Sequence, residues 1–177
     1  MMKRVGAFGK FVLLAGLFLV LVPLSFGTLV SDIWFEVAEL SQGRWEYSYD
    51  ITNINIPAGV REFTIYFTAD LYDGLAVETT DPLAATWDEI VWDPIDGVGV
   101  DGAYDALTEG LPIAESTTES GFSVSFDWLG AETPGSQFYE IIDPDTFETI
   151  DSGWTVPEPG MLLLLGLGAI ISRKKRN

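Results

Sequence analysis

Alternation of apolar and polar residues, repeated between short turn signals, is the feature that most constrains the fold of this chain. In residues 45–51, Trp, Tyr, Tyr and Ile alternate with Glu, Ser and Asp, and the same period of two recurs at 33–37, 63–67 and 122–128. Such segments, rich in aromatic and β-branched residues and bounded by Gly, Pro or Asn, are typical of strands that bury one face. The predicted core face of the last segment comprises Phe122, Val124, Phe126 and Trp128.

Shorter segments extend the strand pattern. Residues 86–92, 137–142 and 147–150 are predicted strands, the last two around a turn at 143–145, while 104–107 fits either a short strand or a helical turn. No amphipathic helix longer than a turn or two is predicted in the middle of the chain. Six to nine strands at this spacing predict an all-β fold, an antiparallel β-sandwich with one face of each sheet buried.

The N-terminus has the pattern of a secretory signal peptide. Its first ten residues carry three cations and no acid, and residues 11–22 are uniformly apolar. Small residues then follow at Ser25 and Gly27, where cleavage is expected. We therefore predict a signal peptide over 1–27, with a helix in its apolar run. A retained N-terminal anchor is the alternative, but the run is short for a membrane span.

The C-terminus combines three different pieces. An extended element that no helix can absorb comes first and comprises Val156, Pro157, Glu158, Pro159 and Gly160. An apolar run over 161–171, which is predicted to be helical, comes second. A basic end comes last and comprises Arg173, Lys174, Lys175 and Arg176. At ~1.5 Å per residue the apolar run covers about half of a ~30 Å hydrocarbon core, which favours transient membrane contact over a permanent anchor.

This tail resembles the PEP-CTERM signal of exported bacterial proteins. The resemblance implies processing at or near Pro157-Glu158-Pro159 by an integral-membrane exosortase, with the export machinery as a further partner. It also implies a Gram-negative source, a transient stay in the inner membrane and an association with exopolysaccharide. An ordinary C-terminal membrane anchor is the alternative. Weaker resemblances to the bodies of such proteins lie at 44–53, 63–67, 121–130 and 134–137.

The two ends place the rest of the chain outside the membrane. Cations precede the first apolar run and follow the second, so both tips are expected on the cytoplasmic side. The predicted domains are a signal peptide at 1–27, an acidic β-sandwich at 28–155 and a sorting tail at 156–177.

The body between the two ends is strongly acidic. Arg44 and Arg61 are its only cations against 26 acidic residues, which gives a net charge of about −24. Nucleic acids and anionic lipids are therefore excluded as electrostatic partners.

The amino-acid composition also excludes most kinds of catalytic site. The chain has no histidine and no cysteine, which excludes Ser–His–Asp and Cys–His nucleophiles, Cys/His zinc sites and disulfides. Carboxylate pairs arise by chance among so many acids, and we expect no enzyme activity and no required cofactor.

Two loops are rich in acidic residues and glycines. One of them holds Asp70, Asp73 and Asp81. Another holds four weak candidates for a Ca²⁺ site, Asp93, Asp96, Asp101 and Asp105. Solvated turns are the competing interpretation.

The sequence therefore predicts a non-enzymatic exported protein of the cell surface or extracellular matrix, sorted by its tail. The alternative is a carbohydrate- or Ca²⁺-binding module that uses the same route. Exposed aromatic residues such as Trp34, Tyr66 or Trp92 would stack on sugars in that case. Tryptophan at strand period is more often part of a core.

The charge of the body generates a first prediction. Because self-repulsion favours proton uptake in the compact state, we expect raised carboxyl pKa values in the folded protein. A raised folded pKa adds stability as pH falls through it, so melting should occur at higher temperature near pH 5 than at pH 8. Screening by 0.5 M NaCl should also stabilise the protein. Ca²⁺ and Mg²⁺ should act alike in thermal melts, and a saturable effect specific to Ca²⁺ would indicate a metal site instead.

Overall fold

The computed structural model describes residues 30–158, and these form ten strands and one 3₁₀ turn at Leu83–Ala85. The strands are β1 (Ser31–Ser41), β2 (Arg44–Asn53), β3 (Glu62–Phe67), β4 (Tyr72–Val77), β5 (Trp87–Trp92), β6 (Gly102–Thr108), β7 (Thr117–Trp128), β8 (Phe138–Asp143), β9 (Glu148–Trp154) and β10 (Val156–Pro157). The two predicted flanking helices lie outside the described residues. Within 30–158, no helix has the length and apolar character needed to cross a membrane.

The strands form two five-stranded sheets. The first sheet has the order β10-β1-β2-β7-β4, and the second has the order β5-β6-β3-β8-β9. All strand pairs are antiparallel except β1 with β10, which run parallel. The prediction of an all-β, two-sheet architecture is confirmed, and its purely antiparallel form is corrected at this one edge. The parallel pair arises because the chain returns to the first sheet directly after β9.

Each of the predicted strands is present. The first three alternating segments lie within β1, β2 and β3, and the fourth forms the C-terminal part of β7. The ambiguous segment at 104–107 is strand, within β6. Strand β4 was not predicted, and it contains Asp73, which the sequence analysis assigned to an acid-rich loop. The segment Tyr-Asp-Gly-Leu-Ala-Val lacks clean alternation and carries a glycine, so its strand conformation depends on pairing with β7.

Aromatic side chains fill the space between the sheets. Phe126 of β7 is fully buried, and its ring centroid lies 4.9 Å from that of Tyr47 and 5.0 Å from that of Tyr72. The ring of Phe67, from the facing sheet, lies 6.2 Å away. Phe122 makes an edge-on contact with Phe63 of the facing sheet at 4.9 Å. Aromatic pairs of this geometry add to the stabilisation that burial itself provides.

A bulge sets the register of β7. Tyr49 pairs with Phe122 and Asp50 pairs with Ser120, which leaves Gly121 as the extra residue. Gly121 has a φ of 104°, a conformation that side-chain-bearing residues rarely adopt. Residues 122–126 of β7 are all buried, and the bulge aligns the apolar side chains of this segment, which begins at Phe122, with the core face of β2.

Removal of the Phe126 ring tests this core. Phe126→Ala should lower the free energy of unfolding by ~3–5 kcal/mol, because it deletes a ring that is packed by both sheets. Chemical denaturation of the exported protein, followed by tryptophan fluorescence, measures the change. The matched control is Phe147→Ala, at a ring that is 82% exposed in the β8–β9 turn. A loss below about 1 kcal/mol for Phe126→Ala would show that this face is not the core.

Candidate functional site

The start of the predicted tail is part of the folded body. Val156 and Pro157 form β10 and pair with Trp34 and Phe35 at the edge of the first sheet. The backbone N–H of Glu158 continues the ladder by donating to the carbonyl oxygen of Phe35 at 3.0 Å. The extended conformation expected from the two prolines is therefore used for strand pairing.

Thr155 anchors this short strand to the interior. It is 1% exposed, and its backbone N–H donates to the carbonyl oxygen of Gln137 at 2.8 Å. Its hydroxyl accepts a hydrogen bond from the backbone N–H of Gln137 at 2.9 Å. The Gln137 side-chain oxygen in turn accepts a bond from the Tyr49 hydroxyl at 3.3 Å. A polar network thus links the last residues of the body to the core.

Pro157 fits its edge position. Proline has no backbone N–H, so it is tolerated in a strand only where that donor is not needed, typically at a sheet edge. β10 also covers part of the edge of β1, which would otherwise expose unpaired backbone groups. The motif therefore protects the sheet while it remains attached.

Negative charge surrounds the end of β10. Glu158 faces Glu36 of β1 and Asp50 of β2, and it borders an open concavity of about 360 Å³ lined also by Trp34, Thr52 and Thr118. Desolvation, together with the negative charges of Glu36 and Asp50, raises the pKa of Glu158. Neighbouring carboxylates disfavour the ionised form, so deprotonation weakens the docked arrangement.

The other predicted processing residues lie outside the described part of the chain. These are Pro159 and Gly160 of the motif, Arg173, Lys174, Lys175 and Arg176 of the basic end, and Ser25 and Gly27 at the expected signal cleavage site.

The acidic residues proposed for Ca²⁺ bind backbone N–H groups across the loops. Asp101 accepts from Ala69 at 2.8 Å, Asp93 accepts from Leu75 at 2.6 Å, and Asp96 accepts from Asp70 at 3.3 Å. Asp105 lies in β6 instead of the loop, and its carboxylate accepts from the Thr64 hydroxyl at 2.6 Å. Among residues 30–158, no cluster of three or more acidic side chains is arranged to hold a metal ion.

The candidate sugar-stacking residues separate onto two surfaces. Trp34 lies on the first sheet beside β10, whereas Tyr66 and Trp92 lie on the outer face of the second sheet. Phe138 and Trp154 lie on the same face as Tyr66 and Trp92, and neither was predicted from the sequence. Phe138 is next to the buried Tyr139, and Trp154 is next to Gly153, so each points to the opposite face of its strand from that neighbour. This alternation is the signal that could have identified them.

Comparisons with solved structures give only distant similarities. A family 3b carbohydrate-binding module from the biomass sensoring system of Clostridium clariflavum aligns with 73% of this chain and 97% of its own, at 13% identity and a TM-score of 0.43. A GH20 exo-β-N-acetylglucosaminidase from Vibrio harveyi aligns with 74% of this chain and 18% of its own, at 8% identity and a TM-score of 0.37. These scores are too low to assign a ligand or activity to this chain. No curated protein gives a significant match.

The family comparison concerns the tail. A model described as the PEP-CTERM protein-sorting motif matches residues 155–176, which begins at the buried Thr155 and includes all of β10. The match confirms the resemblance derived from the sequence. Residues 155–176 are a PEP-CTERM protein-sorting motif, the signal that directs an exported protein to an exosortase.

Proposed function

We propose that this chain is a non-enzymatic protein of the cell surface or extracellular matrix of a Gram-negative bacterium. In this proposal it is exported by the signal peptide at 1–27, held briefly in the inner membrane by its tail, and released when the exosortase processes that tail. The observation that carries the proposal is the sorting motif at 155–176, joined directly to a folded acidic sandwich.

Hydrogen bonds fix both ends of the body, which supports processing of segments that lie outside the folded domain. Ser31 is fully buried, and both its backbone N–H and its hydroxyl donate to Asp151, at 2.8 and 2.7 Å. At the other end, Glu158 is bonded to Phe35. Removal of the predicted leader at 1–27 and of a tail after Glu158 would leave the described hydrogen bonds intact, including those that the Val30 carbonyl oxygen accepts from Ile54 and Asn55.

The same geometry limits where the tail is cut. A protease needs an extended backbone that is free of its neighbours, and the backbone at Thr155 and Glu158 is engaged in hydrogen bonds. Cleavage before Val156 would also remove β10 and expose the edge of β1. We therefore infer that the scissile bond lies after Glu158, so that β10 stays with the mature body.

The surface of the body supports an extracellular setting. The concavity beside Glu158 is wide open to solvent, and its lining contains carboxylates without a histidine or a lysine. The high negative charge favours solubility and keeps copies of the protein apart. These features suit a protein that resides among extracellular polysaccharide, which is the setting that we propose.

The position of the cut can be measured directly. Intact mass spectrometry of the surface-located protein should show loss of residues 161–177, because processing occurs near the motif, and retention of 155–158, because these residues belong to the fold. Mature protein that carries the full tail would indicate a plain membrane anchor. A mature C-terminus at or before Pro157 would contradict the inferred role of β10.

Glu158 gives a second test, based on pH. Its raised pKa means that the docked state is favoured below that pKa and weakened as pH rises through it. In the full chain, Glu158→Gln should therefore raise the Tm at pH 8 by on the order of 1–2 °C and have no effect near pH 4. Differential scanning calorimetry at the two pH values measures this. Glu115→Gln, at an exposed site on another loop, is the control, and equal shifts for both variants would refute the mechanism.

A further inference from the structure

The outer face of the second sheet carries a row of aromatic side chains from edge to edge. Strand pairing places Trp92 of β5 opposite Ala103, Ala103 opposite Tyr66, Tyr66 opposite Phe138, and Phe138 opposite Trp154 of β9. These four residues, Trp92, Tyr66, Phe138 and Trp154, form an aromatic row. With strands ~4.8 Å apart, the row is ~19 Å long, enough for several sugar rings.

The aromatic row is accessible. Trp92 and Trp154 are 53% and 63% exposed, and Tyr66 and Phe138 are half-buried between them. The ring centroids of Tyr66 and Phe138 are 5.9 Å apart, and those of Phe138 and Trp154 are 5.8 Å apart. Cross-strand packing explains part of this contact. It does not explain why two tryptophans at opposite sheet edges leave more than half of their surface in water.

A second row of side chains runs beside the first on the same face. It lies two residues along each strand from the aromatic row. Its members, in order across the sheet, are Ile90, Asp105, Thr64, Glu140 and Ser152. Glu140 accepts hydrogen bonds from the hydroxyls of Tyr66 at 2.6 Å and Thr149 at 3.0 Å, which fixes its carboxylate next to the aromatic row. Two carboxylates, those of Asp105 and Glu140, therefore lie beside the aromatic row in its central part.

We propose that this face binds a neutral polysaccharide chain, laid along the aromatic row. A pyranose ring presents C–H bonds on its face, which pack against the electron-rich face of an aromatic ring. Its hydroxyls project at the ring edge, where they can donate to the carboxylates of Asp105 and Glu140. A linear row spanning five strands suits an extended polymer better than a single small ligand.

Charge selects among possible occupants. Glu62, Asp88, Asp105 and Glu140 belong to this face, and the whole body carries about −24, so anionic polymers are repelled. The same repulsion opposes docking of a second copy on the row. The negative charge does not repel a neutral polymer that bears hydroxyls, and such a polymer gains both the stacking and the hydrogen bonds.

Affinity gel electrophoresis of the exported protein tests the proposal, with hydroxyethylcellulose and mixed-linkage β-glucan as neutral polymers and alginate as the anionic one. Wild-type protein should be retarded by a neutral polymer and not by alginate. Trp154→Ala and Trp92→Ala should each weaken the retardation about tenfold, because each removes an exposed stacking surface. Phe147→Ala, an exposed ring outside the row, should bind like wild type.

Thermal melts and size-exclusion chromatography of the same variants separate binding from folding and association. The Tm of Trp92→Ala and Trp154→Ala should stay close to that of wild type, because both side chains are mostly exposed. Absence of retardation by both neutral polymers would overturn the proposal. Equal retardation of wild type and of a double variant that combines Trp92→Ala with Trp154→Ala would overturn it as well. Equal binding of alginate would overturn it too, as would a dimer that Trp154→Ala dissociates. None of these outcomes depends on whether the tail is processed.

Discussion

Aromatic packing between the two sheets is the interaction on which the rest of this structure depends. The body has no cysteine, so no disulfide restrains it, and its many carboxylates repel one another. The rings of Phe126, Tyr47 and Tyr72 in the first sheet pack against Phe67 of the second, with centroids no more than 6.4 Å from that of Phe67. Burial of this apolar surface must offset both the chain entropy and the charge repulsion. The tyrosine hydroxyls remain satisfied inside this layer, since Tyr47 donates to the carbonyl oxygen of Gly135 at 2.7 Å.

The charged groups are arranged to limit that repulsion. Both arginines of the body hold strands or turns together: Arg44 of β2 donates to the carbonyl oxygen of Gly74 at 2.7 Å and pairs with Asp127 at 3.3 Å, and Arg61 pairs with Asp145 at 2.7 Å. Several aspartates bind backbone N–H groups in the loops, which satisfies them locally. Four carboxyls in the described part of the chain have resolved pKa shifts, and all four are raised, with burial as the first cause: Asp32, Glu62, Asp105 and Glu158. Their protonation stabilises the fold as pH falls through the raised values.

Local patterns in the sequence predicted the elements whose conformation is decided locally. Clean alternation gave β1, β2, β3 and β7 and their buried faces, because a period of two reports directly on a half-buried strand. β4 and β10 were missed as strands, since Gly74 and Pro157 weaken the local signal and pairing with distant partners decides the outcome. For the same reason the aromatic row was found only in part: Tyr66 and Trp92 were candidates, whereas the alignment of Phe138 with Trp154 depends on the register between β8 and β9. The PEP-CTERM character of the tail was predicted and is confirmed at 155–176, because its order of motif, apolar run and basic end is a property of the sequence alone.

The central claim is that the sorting motif begins inside the folded domain, with β10 docked on β1. Hydrogen exchange of the full chain, resolved at Thr155 and Glu158, tests it most directly, because both amides donate to backbone carbonyls in the structure. The account predicts slow exchange at both amides, with Thr155 as protected as the core strands because of its burial. Exchange of both amides at the rate of an unstructured peptide would contradict it, and would place the whole motif in a free linker.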